Sequence, residues 1–404
     1  MKHSSEYKPR VVPVMGAGDW NEIDRVQSID KTGTINTIRV EEVGNPDVVG
    51  QIKQPPTIAY RMTQNEYGSL DFYKKLANVN TGNIIVPNDF KSSAFDICSY
   101  LFEDSTFEGT IWIPKLRVAG FSITIGDPNS LIERSFDFVG EDWITWQGTN
   151  KYLIYKSDTV ESGEAGNFDI TVSDPSAVED PKVSGTYILR VVRIRSSVAT
   201  ELEAGAGTDQ YSYSAPTLTV NDCEVGDIVK YWYTASSYIG GETPFVPNTS
   251  DLPGIHANSA SIYLASGNYV YRLQSVTIDN RFDREDLFEI GNSEIVQRGI
   301  RNKTVTITLG RILETFTIEE ILAGEVTGFG KLDIREFGTD LELKVKLFSD
   351  KTKATFKIGY FANKLTPSEI RGGAGVDTHV EAGDTLTGEY LSICDDETTF
   401  DALS

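Results

Sequence analysis

Cysteine, histidine and methionine each occur only three times in 404 residues. Cys98, Cys223 and Cys394 are far apart and odd in number, so they build neither a disulfide framework nor a zinc spacing and read as buried or incidental thiols. His3, His256 and His379 fall in a polar terminus, a loop and a glycine-rich stretch, and no serine sits in a nucleophile-elbow pattern, which leaves a Ser/His/Asp enzyme little support. The run GEVTGFGKL at Gly324 to Leu332 fails as a phosphate loop: its first glycine is at the wrong distance, and Leu332 stands where a hydroxyl must meet magnesium. Gly16-Ala17-Gly18 lacks the third glycine of a dinucleotide fold and an expected strand before it, and calcium-loop spacing is missing too. No catalytic, cofactor-binding or metal residue is assigned.

Long apolar runs are also missing, so no stretch approaches the length of a membrane span. Around Lys2, His3, Lys8 and Arg10 the amino end is polar, without the apolar centre of a signal peptide, and the chain is expected to fold in a cytoplasm. Basic residues are scarce: 37 Lys and Arg face 59 Asp and Glu, a net charge of −22. Gripping nucleic acid depends on cations displacing counterions from phosphate, so this surplus of acid argues against it, and solubility is its plain explanation.

What the sequence does contain is an internal echo. Arg25, Gln27 and Ser28 recur as Arg272, Gln274 and Ser275, and Glu42, Gly44, Asn45 and Val49 recur as Glu289, Gly291, Asn292 and Val296, all at an offset of 247. Apolar positions correspond at the same offset, Val43 with Ile290, Ile58 with Val305 and Met62 with Leu309. Identities, polarity and spacing together read as the duplication of one structural unit. Glu42, Gly44, Asn45 and Glu289, Gly291, Asn292 are expected to shape a repeated turn, because glycine lets the backbone bend and asparagine can bond its own chain.

In the second copy Leu273 to Ile278 reads as a strand with apolar residues on both faces, and Thr304 to Leu309 as a strand with Val305, Ile307 and Leu309 on one face and threonines on the other. A short helix follows, capped by Thr317 with Glu320 closing a capping box and Ile318, Ile321 and Leu322 on one buried face. In the first copy Asp71 takes the cap place, with Phe72, Leu76 and Ala77 in equivalent positions; Asn78 and Gly324 suit the left-handed residue after the last turn. Long strands come next, at Leu116 to Ile125 and at Leu341 to Leu347. Two β-sandwich or half-barrel units, each with one packed helix, follow from this order, and the fold class is mainly β.

The pattern YRLQSVTID…REDLFEIGN…VTITL…ILAG at Tyr271 to Gly324 resembles the tail tube proteins of tailed bacterial or archaeal viruses. That resemblance implies a structural virion protein without enzymatic activity, one whose subunits form stacked rings of a tail tube that conducts DNA during genome delivery. Two fused units imply a homotrimer with a pseudo-hexameric ring. The implied partners are further copies of the chain, a tape-measure protein, tail terminator and tail-tip or baseplate proteins, genomic DNA in the lumen without specific binding, and, in some tails, a sheath. The implied location is the virion tail, assembled in the host cytoplasm.

In chain order the expectation is an extended arm over 1–24, a first tube domain over 25–155, an intervening β-rich domain over 156–267 and a second tube domain over 268–404. Within the first, Ser92 to Phe102 places Phe95, Cys98, Leu101 and Phe102 at helical spacing, and Phe136, Phe138, Trp143 and Trp146 stand at strand-like intervals suited to packing. Strands are expected at Gly185 to Arg195, Thr217 to Val220 and Gly226 to Ala235, with Arg190, Arg193 and Arg195 in ion pairs. The glycine-rich run Arg371 to Asp384 reads as a mobile loop or wide turn. Two other functional readings compete: a trimeric β-sandwich decoration or receptor-binding protein on a virion or cell surface, and a carbohydrate-active enzyme, for which Asp283, Glu285 and Asp286 supply clustered acids.

Overall fold

A computed structural model describes residues 7–13, 21–23, 25–35, 37–41, 48–53, 56–79, 82–91, 94–103, 106–147, 152–173, 188–196, 198–235, 253–264, 268–269, 273–288, 295–312, 320, 340–374 and 380–403. The fold is mainly β, with nearly all sheet pairings antiparallel. Strands are numbered β1 to β27 in chain order. The chain forms two compact units that interleave along the sequence: one comprises Met1–Asp24, Ser93–Leu116 and Gly140–Thr249, the other Arg25–Ser92, Arg117–Val139 and Ser250–Ser404.

The first unit has three β layers. In the first layer β1 (Tyr7–Pro13) pairs with β2 (Asn21–Glu22) and β8 (Phe95–Glu103); β8 pairs with the amino-terminal half of β9 (Thr106–Ile125), which pairs with β11 (Ile144–Gln147). Residues 7–13, expected within the extended arm, thus line up along β8, which corrects the expectation that no strand precedes Gly16-Ala17-Gly18. The central layer joins β12 (Tyr152–Thr159), β19 (Ile228–Ala235), β14 (Ile188–Arg195) and β15 (Val198–Glu201). The third layer contains β13 (Gly166–Thr171), β18 (Thr217–Cys223), β17 (Gln210–Ser214) and β16 (Glu203–Ala204), the last pair parallel.

Alternation explains how the central sheet serves two cores. Trp232, Val192 and Ile194 pack with Cys98, Tyr100, Phe107 and Trp112 of the first layer, while Val191, Val229, Tyr231 and Tyr233 pack with Phe168, Ile170, Leu218 and Val220 of the third. Ser92 to Phe102, expected to be helical, is corrected by β8. Its first six residues are all buried, so no polar face survives to mark a period of two.

In the second unit β3 (Val26–Thr34) pairs with β6 (Thr57–Asn65), and β4 (Thr37–Glu41) with β5 (Val48–Lys53). The helix α1 (Asp71–Ala77) and the short β7 (Ile84–Ile85) follow, then the carboxyl-terminal half of β9 and β10 (Glu133–Gly140). After β20 (Ala260–Leu264) and β21 (Asn268–Tyr269) come β22 (Leu273–Phe288), β23 (Ile295–Ile312), β24 (Leu341–Phe348), β25 (Phe356–Ala374), β26 (Val380–Gly388), β27 (Tyr390–Cys394) and the helix α2 (Glu397–Asp401).

Asp71 is the first helical residue of α1 and Leu70 holds the cap position, so the expected cap is displaced by one: Ser69 Oγ accepts from the Asp71 N–H at 3.1 Å instead. Asn78 ends the helix left-handed at φ 61°, as its residue type suggests. The helix expected from Thr317 to Leu322 lies outside the described residues except for Glu320. Arg371 to Asp384, expected as a loop or wide turn, is corrected in its described parts, which are strand in β25 and β26. Its glycines hid the alternation there.

The register of the pairings carries the most information. β3 against β6 runs from Val26↔Gln64 to Thr34↔Thr57, and β22 against β23 runs from Leu273↔Arg311 to Arg281↔Thr304, every pair displaced by 247. The β4–β5 pairs, Thr37↔Lys53 to Glu41↔Val48, recur as Arg284↔Ile300 to Phe288↔Ile295 at the same displacement. Both register shifts recur too, at Val26/Ser28 and Leu273/Ser275 and at Val40/Glu41 and Leu287/Phe288.

Further along, β8 against β9 and β24 against β25 share a pattern. Phe95↔Leu116 and Ile97↔Ile113 correspond to Leu341↔Leu365 and Leu343↔Ala362, each with a bulge between the two pairs. Inside those bulges Lys115 and Lys364 are both left-handed, at φ 55° and 54°.

Candidate assembly surface

The second unit contains a continuous antiparallel ladder in the order β3, β6, β10, β9, β22, β23, β26, β25, where β9 and β25 contribute their carboxyl-terminal halves. Period-two alternation gives it two unlike faces. Tyr60, Met62, Phe121, Phe136, Phe138, Val276, Ile278, Val305, Ile307 and Leu309 are buried on one face, and α1 adds Phe72, Tyr73 and Leu76 to that core. Aromatic edges interlock there: Tyr73 meets Phe121 and Phe136 with centroids 5.6 and 5.4 Å apart, and Phe72 meets Phe136 at 5.0 Å.

At the end of this core face lies a buried charge network. Arg134 and Glu66 are both inaccessible and pair at 3.2 Å. The Arg134 Nε–H donates to Gln64 Oε1 at 3.1 Å, and the Tyr360 hydroxyl donates to Glu66 Oε2 at 2.7 Å. Glu66 Oε1 also accepts the backbone N–H groups of Tyr67 and Gly68. Burial opposes the charge on Arg134, yet Glu66 outweighs it and holds the guanidinium protonated, while burial first and Glu66 second push the Tyr360 phenol up. Arg311, 247 residues after Gln64 and at the same pairing step, likewise donates its Nε–H to a buried charge, Asp384 Oδ2 at 3.0 Å. The side chains of Gln64, Glu66, Arg134 and Tyr360 are buried, and their network ties β6, β10 and β25 together within the core.

The opposite face is open and consists largely of small hydroxyl residues. Thr32, Thr34, Thr124, Thr304, Thr308 and Thr366 are exposed, with Thr277, Thr306, Thr385 and Thr387 half-buried among them. Its arginines are tied to carboxylates: Arg61 to Asp137 at 3.6 Å, Arg281 to Asp279 at 2.8 Å and Arg371 to Glu369 at 2.8 Å. A polyanion meeting this face would find no isolated cation among these three.

The ladder also has two ends. Among the described residues β3 pairs with β6 alone, and Thr366–Ala374 of β25 pairs with β26 alone. An edge strand offers a row of backbone donors and acceptors to another chain. β3 is exposed along Gln27, Ser28, Asp30, Thr32, Gly33 and Thr34, and β25 along Ser368, Glu369 and Arg371.

The first unit buries several of its charges, among them Asp96, Arg190, Arg193, Asp227 and Lys230. Asp96 accepts from Arg190 at 3.0 Å, from the Trp112 indole at 3.2 Å and from the Lys115 N–H at 3.0 Å. Burial would raise the Glu201 carboxyl, but Arg190 and Lys115 hold it below its usual range. Arg195 pairs with Asp227 at 2.8 Å and Glu224 at 2.9 Å, and Arg193 pairs with Asp209, so the arginine cluster is held by ion pairs within the unit as its sequence suggests.

The six residues of the expected repeated turn, Glu42, Gly44, Asn45, Glu289, Gly291 and Asn292, lie outside the described residues; the strands flanking them end at Glu41 and Phe288 and resume at Val48 and Ile295. Cys98, Cys223 and Cys394 are buried and form no disulfide among the described residues. Phe136 and Phe138 pack in the core, Trp146 stacks on Trp112 at 5.9 Å, and Trp143 stays exposed. The sheet edges were not singled out by sequence. The signal that could have found them is the 247 offset itself, which marks β3 as the counterpart of β22. Neither a protein-family model nor a curated protein sequence matches the chain.

Proposed function

We propose that the chain is the tube subunit of a virus tail, a structural protein in which two duplicated tube domains and an intervening β domain assemble as a trimer into a ring of six similar units. The observation that carries this reading is the recurrence of the strand pairings at fixed offsets, bulges and left-handed lysines included, in a ladder whose two end strands each have one open side among the described residues. A ladder of this kind leaves backbone groups at both edges, and joining the last strand of one chain to the first of the next satisfies them without exposing a new edge.

Three chains would close a barrel of about 24 strands, beyond the roughly 16–18 at which porins already hold an aqueous channel. At about 4.8 Å per strand its backbone would measure roughly 37 Å across before tilt is counted. The hydroxyl-rich face would line that channel. Threonines, arginines held by carboxylates and a net charge of −22 give passing DNA no deep electrostatic well. Rings would stack around a tape-measure protein and meet terminator and tip or baseplate proteins at the tube ends, with or without a sheath.

Electron microscopy of the purified full-length chain tests the proposal. Rings or filaments with a central hole are expected; discrete compact trimers without a hole would replace the tube with a surface decoration or receptor-binding protein.

A further inference from the structure

The two edges that are open among the described residues have an internal template. Where β9 meets β22 the chain joins the last strand of the first four-stranded set to the first strand of the second, with Thr277↔Thr124, Asp279↔Ser122, Asn280↔Phe121 and Arg281↔Gly120 in register. β3 corresponds to β22 at an offset of 247, and β25 corresponds to β9 at an offset of 249, the latter fixed by matching bulges and by Lys115 and Lys364. The bulge between Val118 and Gly120 opposite β10 also recurs between Pro367 and Glu369 opposite β26. The strands forming the internal junction therefore have specific counterparts at the outer edges.

We infer that β3 of one chain pairs antiparallel with Thr366–Ala374 of β25 in a second copy, in the register of the internal junction, with Thr32 opposite Arg371, Gly33 opposite Ile370 and Thr34 opposite Glu369. This inference rests on the ring-forming function and adds the contact that makes the ring.

Chemistry at the two edges supports this occupant. Thr32, Thr34, Glu369 and Arg371 are all exposed, so the pairing buries no apolar surface already committed to a core. Arg371 opposite Thr32 also places Asp30 diagonally across from it, a separation of about 7–8 Å that an arginine side chain can span. The internal junction passes closely at one step, where a Cβ on Gly120 would stand 2.8 Å from the Asn280 carbonyl oxygen. At the matching step of the outer edges Glu369 takes the place of Gly120 and its Cβ faces the carbonyl of Gly33, so the strands must part slightly there, a shift that the conformational freedom of Gly33 permits.

Cysteine pairs in the full-length chain test the register. Thr32→Cys with Arg371→Cys, treated with a short thiol-to-thiol crosslinker, is expected to give covalent multimers at least tenfold more efficiently than Asp30→Cys with Arg371→Cys or Thr34→Cys with Arg371→Cys. Ser122→Cys with Asp279→Cys is the internal control and should close within one chain. The native cysteines are buried and do not compete. Rings seen by microscopy whose crosslinks favour a shifted pair, or none of the three pairs, would overturn this register and leave the ring standing. Absence of both rings and intermolecular crosslinks, with the internal control still closing, would overturn the ring as well.

Discussion

Glu66 shows how one residue can hold a core together. Its carboxylate serves Arg134, Tyr360 and two backbone N–H groups at once, all out of water. Replacing a buried pair wholesale can be nearly neutral, whereas removing one partner strands the other charge at a cost of about 3–5 kcal/mol. Glu66→Gln keeps the acceptor for Tyr67 and Gly68 but leaves Arg134 uncompensated, so chemical denaturation followed by far-UV circular dichroism should show a loss in that range. Adding Arg134→Met to Glu66→Gln should recover part of it, and a double variant as damaged as the sum of the singles would show that the two charges are not coupled.

Lys230 poses the opposite problem, a buried cation in the first unit facing Asp96 and Arg190, with Tyr155 5.7 Å from its ammonium. Burial first, and Arg190 after it, push its ammonium down to about 8 from an ordinary 10.5 although Asp96 pulls the other way. Below pH 8 folded and unfolded chains both carry the proton and this group adds no slope. Between pH 8 and the unfolded value the unfolded chain holds more protons, so stability rises with pH by up to about 3 kcal/mol. Lys230→Met should be the more stable protein at pH 7 and should lack that rise, closing the gap by about pH 10. All five tryptophans fall within the first unit's residues, so denaturation followed by tryptophan fluorescence reads this effect where it occurs.

At the scale of elements, strands with one wet face were legible and strands with none were not. Leu341, Leu343, Val345 and Leu347 alternate with polar residues in the sequence and alternate in burial in β24. Phe95–Glu103 has both faces covered, and its continuous burial left only spacing to go on, which happened to suit a helix. The echo at 247 was visible in the first hairpins because their lengths are equal; it faded afterwards because insertions move the offset to 249 by β9 and β25. The bulges at Lys115 and Lys364 carry no residue signature, since left-handed positions usually advertise themselves with glycine or asparagine. They do make a prediction. Lys364 is exposed, so Lys364→Gly should relieve the left-handed strain and stabilise by about 1 kcal/mol, while the β-branched Lys364→Val should destabilise by more than that. Equal effects of the two substitutions on the thermal midpoint would mean that the left-handed bulge is not kept in solution.

For the whole molecule, charge and backbone pairing make opposing demands on the proposed assembly. Each chain of 44.6 kDa carries −22, and gathering several into a ring concentrates that charge around one axis. If backbone hydrogen bonds between β3 and β25 hold the contact, electrostatics between chains is mainly repulsion to be screened. The screening length falls from about 10 Å at 0.1 M salt to about 3 Å at 1 M. Sedimentation velocity should accordingly shift from single chains towards rings as sodium chloride rises from 0.05 to 0.5 M at fixed protein concentration. Contacts built on ion pairs across the edges would weaken over the same range, so dissociation with added salt would move the source of ring cohesion from the strand backbones to the charged side chains.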